Sequence, residues 1–206
     1  MALRSAGTLR LKPTTPLEVV EEPSASSPEG ASQTARLPIS DARLPISEHV
    51  RVATPALLDP LMQIAFAACE ENGFLNYNPT RLLEQVWACT HLQQGLIGVI
   101  EGPKEIEGVV VLRVGTMWYS DDPVIEEKVV WVHPSYRKPI GYSRAQALVN
   151  FSKHVSDFFQ LPLIIGVLSN SRTKAKVKLY ERLVGEPSGA FFLYNGHTGD
   201  STRGGE

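Results

Sequence analysis

From residue 49 onward, apolar and polar positions switch between two periods. Residues 49–52 read as a short strand. Thr54-Pro55 then offers an N-cap followed by proline at the first helical position. Leu57, Leu58, Leu61, Ile64, Ala65 and Ala68 recur at helical spacing as far as Gly73. Asn78-Pro79 repeats that start, and Leu82, Leu83, Val86, Trp87 and Leu92 form the stripe of a second helix. Three runs rich in Val, Ile and Trp follow at 95–100, 106–118 and 124–133, parted by Gly102-Pro103 and by a Ser-Asp-Asp-Pro turn at 120–123. They predict an antiparallel meander. A helix over 143–159, a buried strand over 163–168, a basic amphipathic helix over 171–183 and a strand over 189–194 complete the pattern. The predicted class is mixed α/β, in the order β-α-α-β-β-β-α-β-α-β.

Before residue 49 no such period exists. Residues 1–48 hold 6 of the 15 prolines and 11 Ser or Thr, and every Phe, Trp and Tyr lies between Phe66 and Tyr194. So little apolar surface does not offset the entropy of ordering, and the segment is expected to be a disordered tail. Within it ARLPISD (35–41) is followed at once by ARLPISE (42–48), which is either slippage in an unconstrained linker or a doubled docking motif. The expected organisation is a tail over 1–48, one domain over 49–195 and a flexible end over 196–206.

Charge and cysteine content narrow the chemistry. Lys and Arg number 20 against 22 Asp and Glu, a net charge of -2, so no overall field draws the chain to nucleic acid or an anionic membrane. The longest apolar stretch, 161–168, contains Pro162 and Gly166 and falls far short of the roughly 20 residues of a membrane helix. A soluble, cytoplasmic protein is expected. Cys69 and Cys89 cannot build a disulfide framework or a four-Cys metal site, and no histidine has a metal-ligand spacing, so reduced core thiols and no metal are expected.

Three strings bear chemistry. In VVWVHPSYRKPIGYSRAQALVNF (129–151) a strand ends at His133-Pro134 and a loop with Arg137, Lys138 and Arg144 runs into a helix start. Unpaired N–H groups there, with the positive end of the helix dipole, suit a pyrophosphate. The second string is LIIGVLSN (163–170), and the third is KVKLYERL (176–183). In this order and spacing the strings resemble the GNAT superfamily of acyl-coenzyme A N-acyltransferases over 49–195. WVHPSYRKP and GAFFLYN are also similar to divergent GNAT proteins of tailed bacteriophages, for which the location would be the host cytoplasm.

The resemblance implies a GNAT-like fold that transfers an acetyl group from acetyl-CoA to a primary amine of a small molecule or protein by direct attack. It implies cofactor contacts from the Val132 amide, Arg137, Lys138, Gly141, Tyr142, Ser143 and Arg144. The family's loop places its first glycine one residue earlier than Gly141, and Pro139 removes one donor. Asn170 or Thr173 would bind the pantetheine arm. Tyr180 would serve the departing thiolate as acid, a role suited to a hydroxyl. For the general base, Glu127 is favoured over Glu126, Asp121, Asp122 and His133 because it shares strand parity with Trp131, and a water chain is the alternative. Arg172, Lys174, Lys176, Lys178 and Arg182 form either a solvated face or a contact for phosphate or an acidic partner. Acceptor specificity would lie in the first two helices and in the loops 71–79 and 115–123, with Tyr77, Trp118 and Tyr119. A homodimer is compatible with the resemblance. The competing class is a GNAT scaffold without chemistry that binds a macromolecule.

Overall fold

A five-stranded mixed sheet in the order β1-β2-β3-β4-β5 organises the computed structural model, which describes residues 47–138, 142–169, 172–190 and 192. The strands are β1 (Arg51–Val52), β2 (Gly95–Glu101), β3 (Ile106–Thr116), β4 (Pro123–Val132) and β5 (Leu163–Ile165). Helices α1 (Leu58–Asn72) and α2 (Pro79–Thr90) precede the meander, α3 (Arg144–Phe159) joins β4 to β5, and α4 (Thr173–Leu183) follows. Neighbouring strands are antiparallel except β4 and β5, which are parallel because α3 crosses over between them.

The helix boundaries follow local signals. Gly73 ends α1 at φ 63°, a left-handed conformation that glycine adopts without penalty, and its N–H bonds the Cys69 carbonyl at 3.0 Å. The Asn78 side chain accepts from the Arg81 amide at 3.1 Å, and Ser143 accepts from Gln146 at 3.3 Å, capping α2 and α3. Thr54 departs from expectation. Pro55–Leu57 form a single 3-10 turn, the Thr54 side chain caps nothing, and α1 begins at Leu58.

Each face of the sheet builds its own core. Leu96, Val110, Leu112 and Val130 pack under Leu148, Phe151 and Val155 of α3. On the other face Ile97, Val99, Val109 and Trp131 meet Leu61 of α1 and Val86 and Cys89 of α2. Contact on the α3 side is close enough that a Cβ on Gly98 would stand 2.6 Å from the Phe151 ring. The α2 stripe is narrower than expected: Leu83 and Trp87 remain 42% and 41% exposed, and Leu92 lies beyond the helix. Cys89 fills the core there, and burial pushes its thiol up to about 11.

One irregularity sets up the site. Val111 pairs with Val129, but Leu112 pairs with Glu127, so Lys128 bulges out of the ladder. Below the bulge Ile125 and Glu127 face α3, and above it Val130 and Val132 do. Glu127 and Trp131 share odd numbering but face opposite sides. β5 pairs with Ile125, Glu126 and Glu127 and stops at Ile165, not 168, level with the β4 bulge. Of the strand expected over 189–194, Gly189, Ala190 and Phe192 have no strand pairing, and the rest lies outside the described residues. None of the described helices is long and apolar enough to cross a membrane.

Candidate active site

Beyond Glu127, β4 and β5 part and open a cleft. The His133 N–H donates to the Glu107 carbonyl on β3 at 2.9 Å. Strand alternation therefore turns the polar groups of Val132 to the opposite, open edge. Its carbonyl accepts from Arg137 Nε at 2.8 Å, and its N–H points into the gap where β5 has ended. A cavity of about 150 Å³ lies here, between the end of β4, the first turn of α3 and α4. A second, of about 70 Å³, reaches from Ala68 of α1 to Glu127 and Gly166. Glu71, Val130, Trp131, Lys176 and Tyr180 line both.

The two residues assigned catalytic roles meet at this boundary. The Tyr180 hydroxyl donates to one oxygen of the Glu127 carboxylate, and the Ser152 hydroxyl donates to the other at 2.8 Å. Glu127 is 7% exposed. Burial raises its pKa, against the opposing pull of the Tyr180 and Ser152 hydrogen bonds and of the Lys176 charge. Burial also raises the Tyr180 hydroxyl strongly, helped by the adjacent Glu127 charge. Phenol and carboxylate are one coupled pair: while Glu127 is ionised, Tyr180 keeps its proton.

The assigned cofactor residues are distributed around the larger cavity. Val132, Arg137, Ser143 and Arg144 line it. The first turn of α3 leaves amide groups without intrahelical partners at the cavity wall, and the Ser143 hydroxyl takes only that of Gln146. Tyr142 stacks on His49 with centroids 4.1 Å apart, and the Arg144 guanidinium lies 4.7 Å over the Tyr142 ring. Lys138 is exposed. The Thr173 hydroxyl donates to the Ser169 carbonyl. Gly141 and Asn170 lie outside the described residues.

Three residues of the site escaped the sequence reading. Glu71, on the last turn of α1, accepts from the Trp131 indole at 3.0 Å and pairs with Arg137. Burial would raise its pKa, but the Arg137 hydrogen bond and charge, the indole and Lys176 outweigh burial and lower it. Glu107, on β3, pairs with Arg144 at 2.8 Å and is itself buried. Lys176, expected on a solvated face or in contact with phosphate or an acidic partner but not inside the cleft, is half-buried there, and burial lowers its ammonium pKa. An acidic residue inside the apolar run Ile106 to Val109 was the one legible signal, at Glu107. Trp118 and Tyr119 sit before the start of β4, at the end of that strand remote from Val132. They do not wall the cleft.

Among the described residues no group of His, Cys, Asp and Glu could hold a metal ion. The mixed sheet with its flanking helices has the GNAT acyl-CoA N-acyltransferase fold. Solved acetyltransferases share it. Aminoglycoside N-acetyltransferase AAC(6')-Iy in complex with CoA superposes with a TM-score of 0.55 at 12% identity, over 74% of this chain and 98% of that one. A ribosomal-protein-alanine N-acetyltransferase from Brucella melitensis biovar Abortus 2308 gives 0.53 at 10% identity, over 71% and 98%. An integron cassette protein from the mobile metagenome of Cole Harbour Salt Marsh gives 0.53 at 20% identity, over 71% and 89%. No protein-family model and no curated protein matches the sequence.

Proposed function

We propose that this protein is an N-acetyltransferase that moves the acetyl group of acetyl-CoA to a primary amine. The observation that supports this most is the hydrogen-bonded pair of Glu127 and Tyr180 where the two cavities of the splay meet. The α3 N-terminus and the Val132 amide suit the pyrophosphate and the pantetheine side of the cosubstrate. The solved neighbours support an amine acceptor: AAC(6')-Iy is also known with the bisubstrate analogue CoA-S-monomethyl-acetylneamine.

The cosubstrate supplies an activated thioester. Glu127 removes a proton from the acceptor ammonium, because only the neutral amine attacks a carbonyl, and its raised pKa brings it nearer the working pH of a base. The Val132 N–H donates to the carbonyl oxygen as negative charge builds there. Tyr180 gives its proton to the departing sulfur and recovers one from the now protonated Glu127, to which it is already hydrogen-bonded. The N–C bond forms, the C–S bond breaks, and one proton passes to solvent for each ammonium consumed.

One observation favours a second reading. The loop cations expected to meet the pyrophosphate, Arg137 and Arg144, are already paired with Glu71 and Glu107. A scaffold that binds a macromolecule without transferring acetyl would leave them so. Thiol release from acetyl-CoA with a panel of amines, together with calorimetric titration of CoA, separates the two. Amine-dependent thiol release supports the transferase, and absence of CoA binding overturns it.

A further inference from the structure

Lys176 places a primary amine inside the cleft. It stands four residues before Tyr180 on α4, so the two side chains share one face of the helix. Both cavities are lined by it, which puts it where the two meet, beside the proposed cosubstrate site. Glu71 and Glu127 attract its charge while Arg137 and Arg172 repel it, yet among the described residues it makes no ion pair and no hydrogen bond. Other lysines differ. Lys153 donates to the Leu183 carbonyl at 2.8 Å, Lys128 pairs with Glu126, and Lys174 and Lys178 are exposed.

Resting on the acetyl-CoA reading of the cleft, we propose that Lys176 is an acetylation site that the protein modifies itself, taking one acetyl group from acetyl-CoA onto its own Nζ. Burial favours the neutral amine that attack requires. The Nζ lone pair attacks the thioester carbonyl, the N–C bond forms and the C–S bond breaks. A proton leaves the nitrogen for Glu127, and Tyr180 supplies one to the sulfur, so that acetyl-lysine and the free thiol are the products. The amide is no longer activated and stays in place. Its formation removes the cation facing Glu71 and Glu127, which raises the pKa of both carboxyls.

The full chain, incubated with acetyl-CoA and digested, reports the site by mass spectrometry of its lysine peptides. Lys176 should gain one acetyl group about tenfold or more faster than Lys178, as expected of an amine held beside its reaction partner, and added CoA should slow it. Lys176→Arg should remove that product, while Lys178→Arg should leave it. Equal modification of all exposed lysines overturns the proposal. So does an unmodified Lys176 in a protein that binds acetyl-CoA by calorimetry, with the cofactor site left standing. Absence of acetyl-CoA binding overturns both.

Discussion

Tyr180→Phe removes one oxygen and tests the coupled pair directly. In the parent that hydroxyl donates to a carboxylate only 7% exposed, whose other side-chain donor is Ser152. A hydrogen bond to a charged group is worth ~1.5–3 kcal/mol, and a buried acceptor that loses its donor bears the cost in full. The variant should therefore lose stability of about that size at neutral pH in urea unfolding. Protonation of Glu127 can offset part of the loss, so its pKa should move further up, and the acid limb of the rate profile should shift to higher pH. Turnover should fall by ~10²- to 10⁴-fold, the range attributed to general acid catalysis, with CoA affinity little changed. Ser152→Ala is the control. It removes the other donor to the same carboxylate, so the acid limb should shift in the same direction while the rate at high pH is kept. Parental turnover in Tyr180→Phe, with an unmoved pH profile, would refute the acid role and leave the tyrosine a packing residue.

Gly98→Ala forces a methyl group against the Phe151 ring and should cost ~1–3 kcal/mol of stability by denaturant melting. Ser143→Ala removes the α3 cap and should cost ~1 kcal/mol, which differential scanning calorimetry reads as a lower Tm. Because the folded pKa of Glu127 is raised, its contribution to stability is present in full below the unfolded carboxyl value and is lost as pH rises through the folded one. Glu127→Gln should accordingly hold its stability better than the parent toward neutral pH while losing acetyl transfer, and a parallel decline in both proteins contradicts this. The raised Tyr180 pKa has the same sign at the other end of the scale, so stability should fall above about pH 10, and Tyr180→Phe should show less of that alkaline loss.

Local signals were legible in the sequence, and signals that depend on pairing were not. Asn78 was readable as a cap because a cap is decided within four residues, whereas Thr54, with the same signal before proline, caps nothing. The meander and the α3 crossover were readable because hydrophobic period and turn residues agree. Parity along β4 misled, since the bulge at Lys128 is an event between two strands, and it puts Glu127 and Trp131 on opposite faces. Glu127 nevertheless reaches the cleft, where β4 and β5 part. The loop arginines were legible as charges but not as ion pairs, because their partners lie 66 and 37 residues away in the chain. Lys176 was invisible as a cleft residue for a similar reason: a lysine among five cations on a helix has the composition of a solvated face.

Binding of CoA at the α3 N-terminus is the claim on which the transferase reading depends, and calorimetric titration of the parent beside Ala145→Asp tests it most directly. Ala145 lines the larger cavity in the first turn of α3. An aspartate there suits the helix dipole, by ~0.3–1 kcal/mol, so the fold should be kept. The same charge opposes a pyrophosphate, since two unit charges about 4 Å apart near a surface interact by ~4 kcal/mol. The parent should bind one CoA per chain, and Ala145→Asp should bind it about a hundredfold or more weakly with an undiminished Tm. A parent that takes up no CoA, or a variant that binds it as tightly as the parent, would contradict the assignment of this cleft.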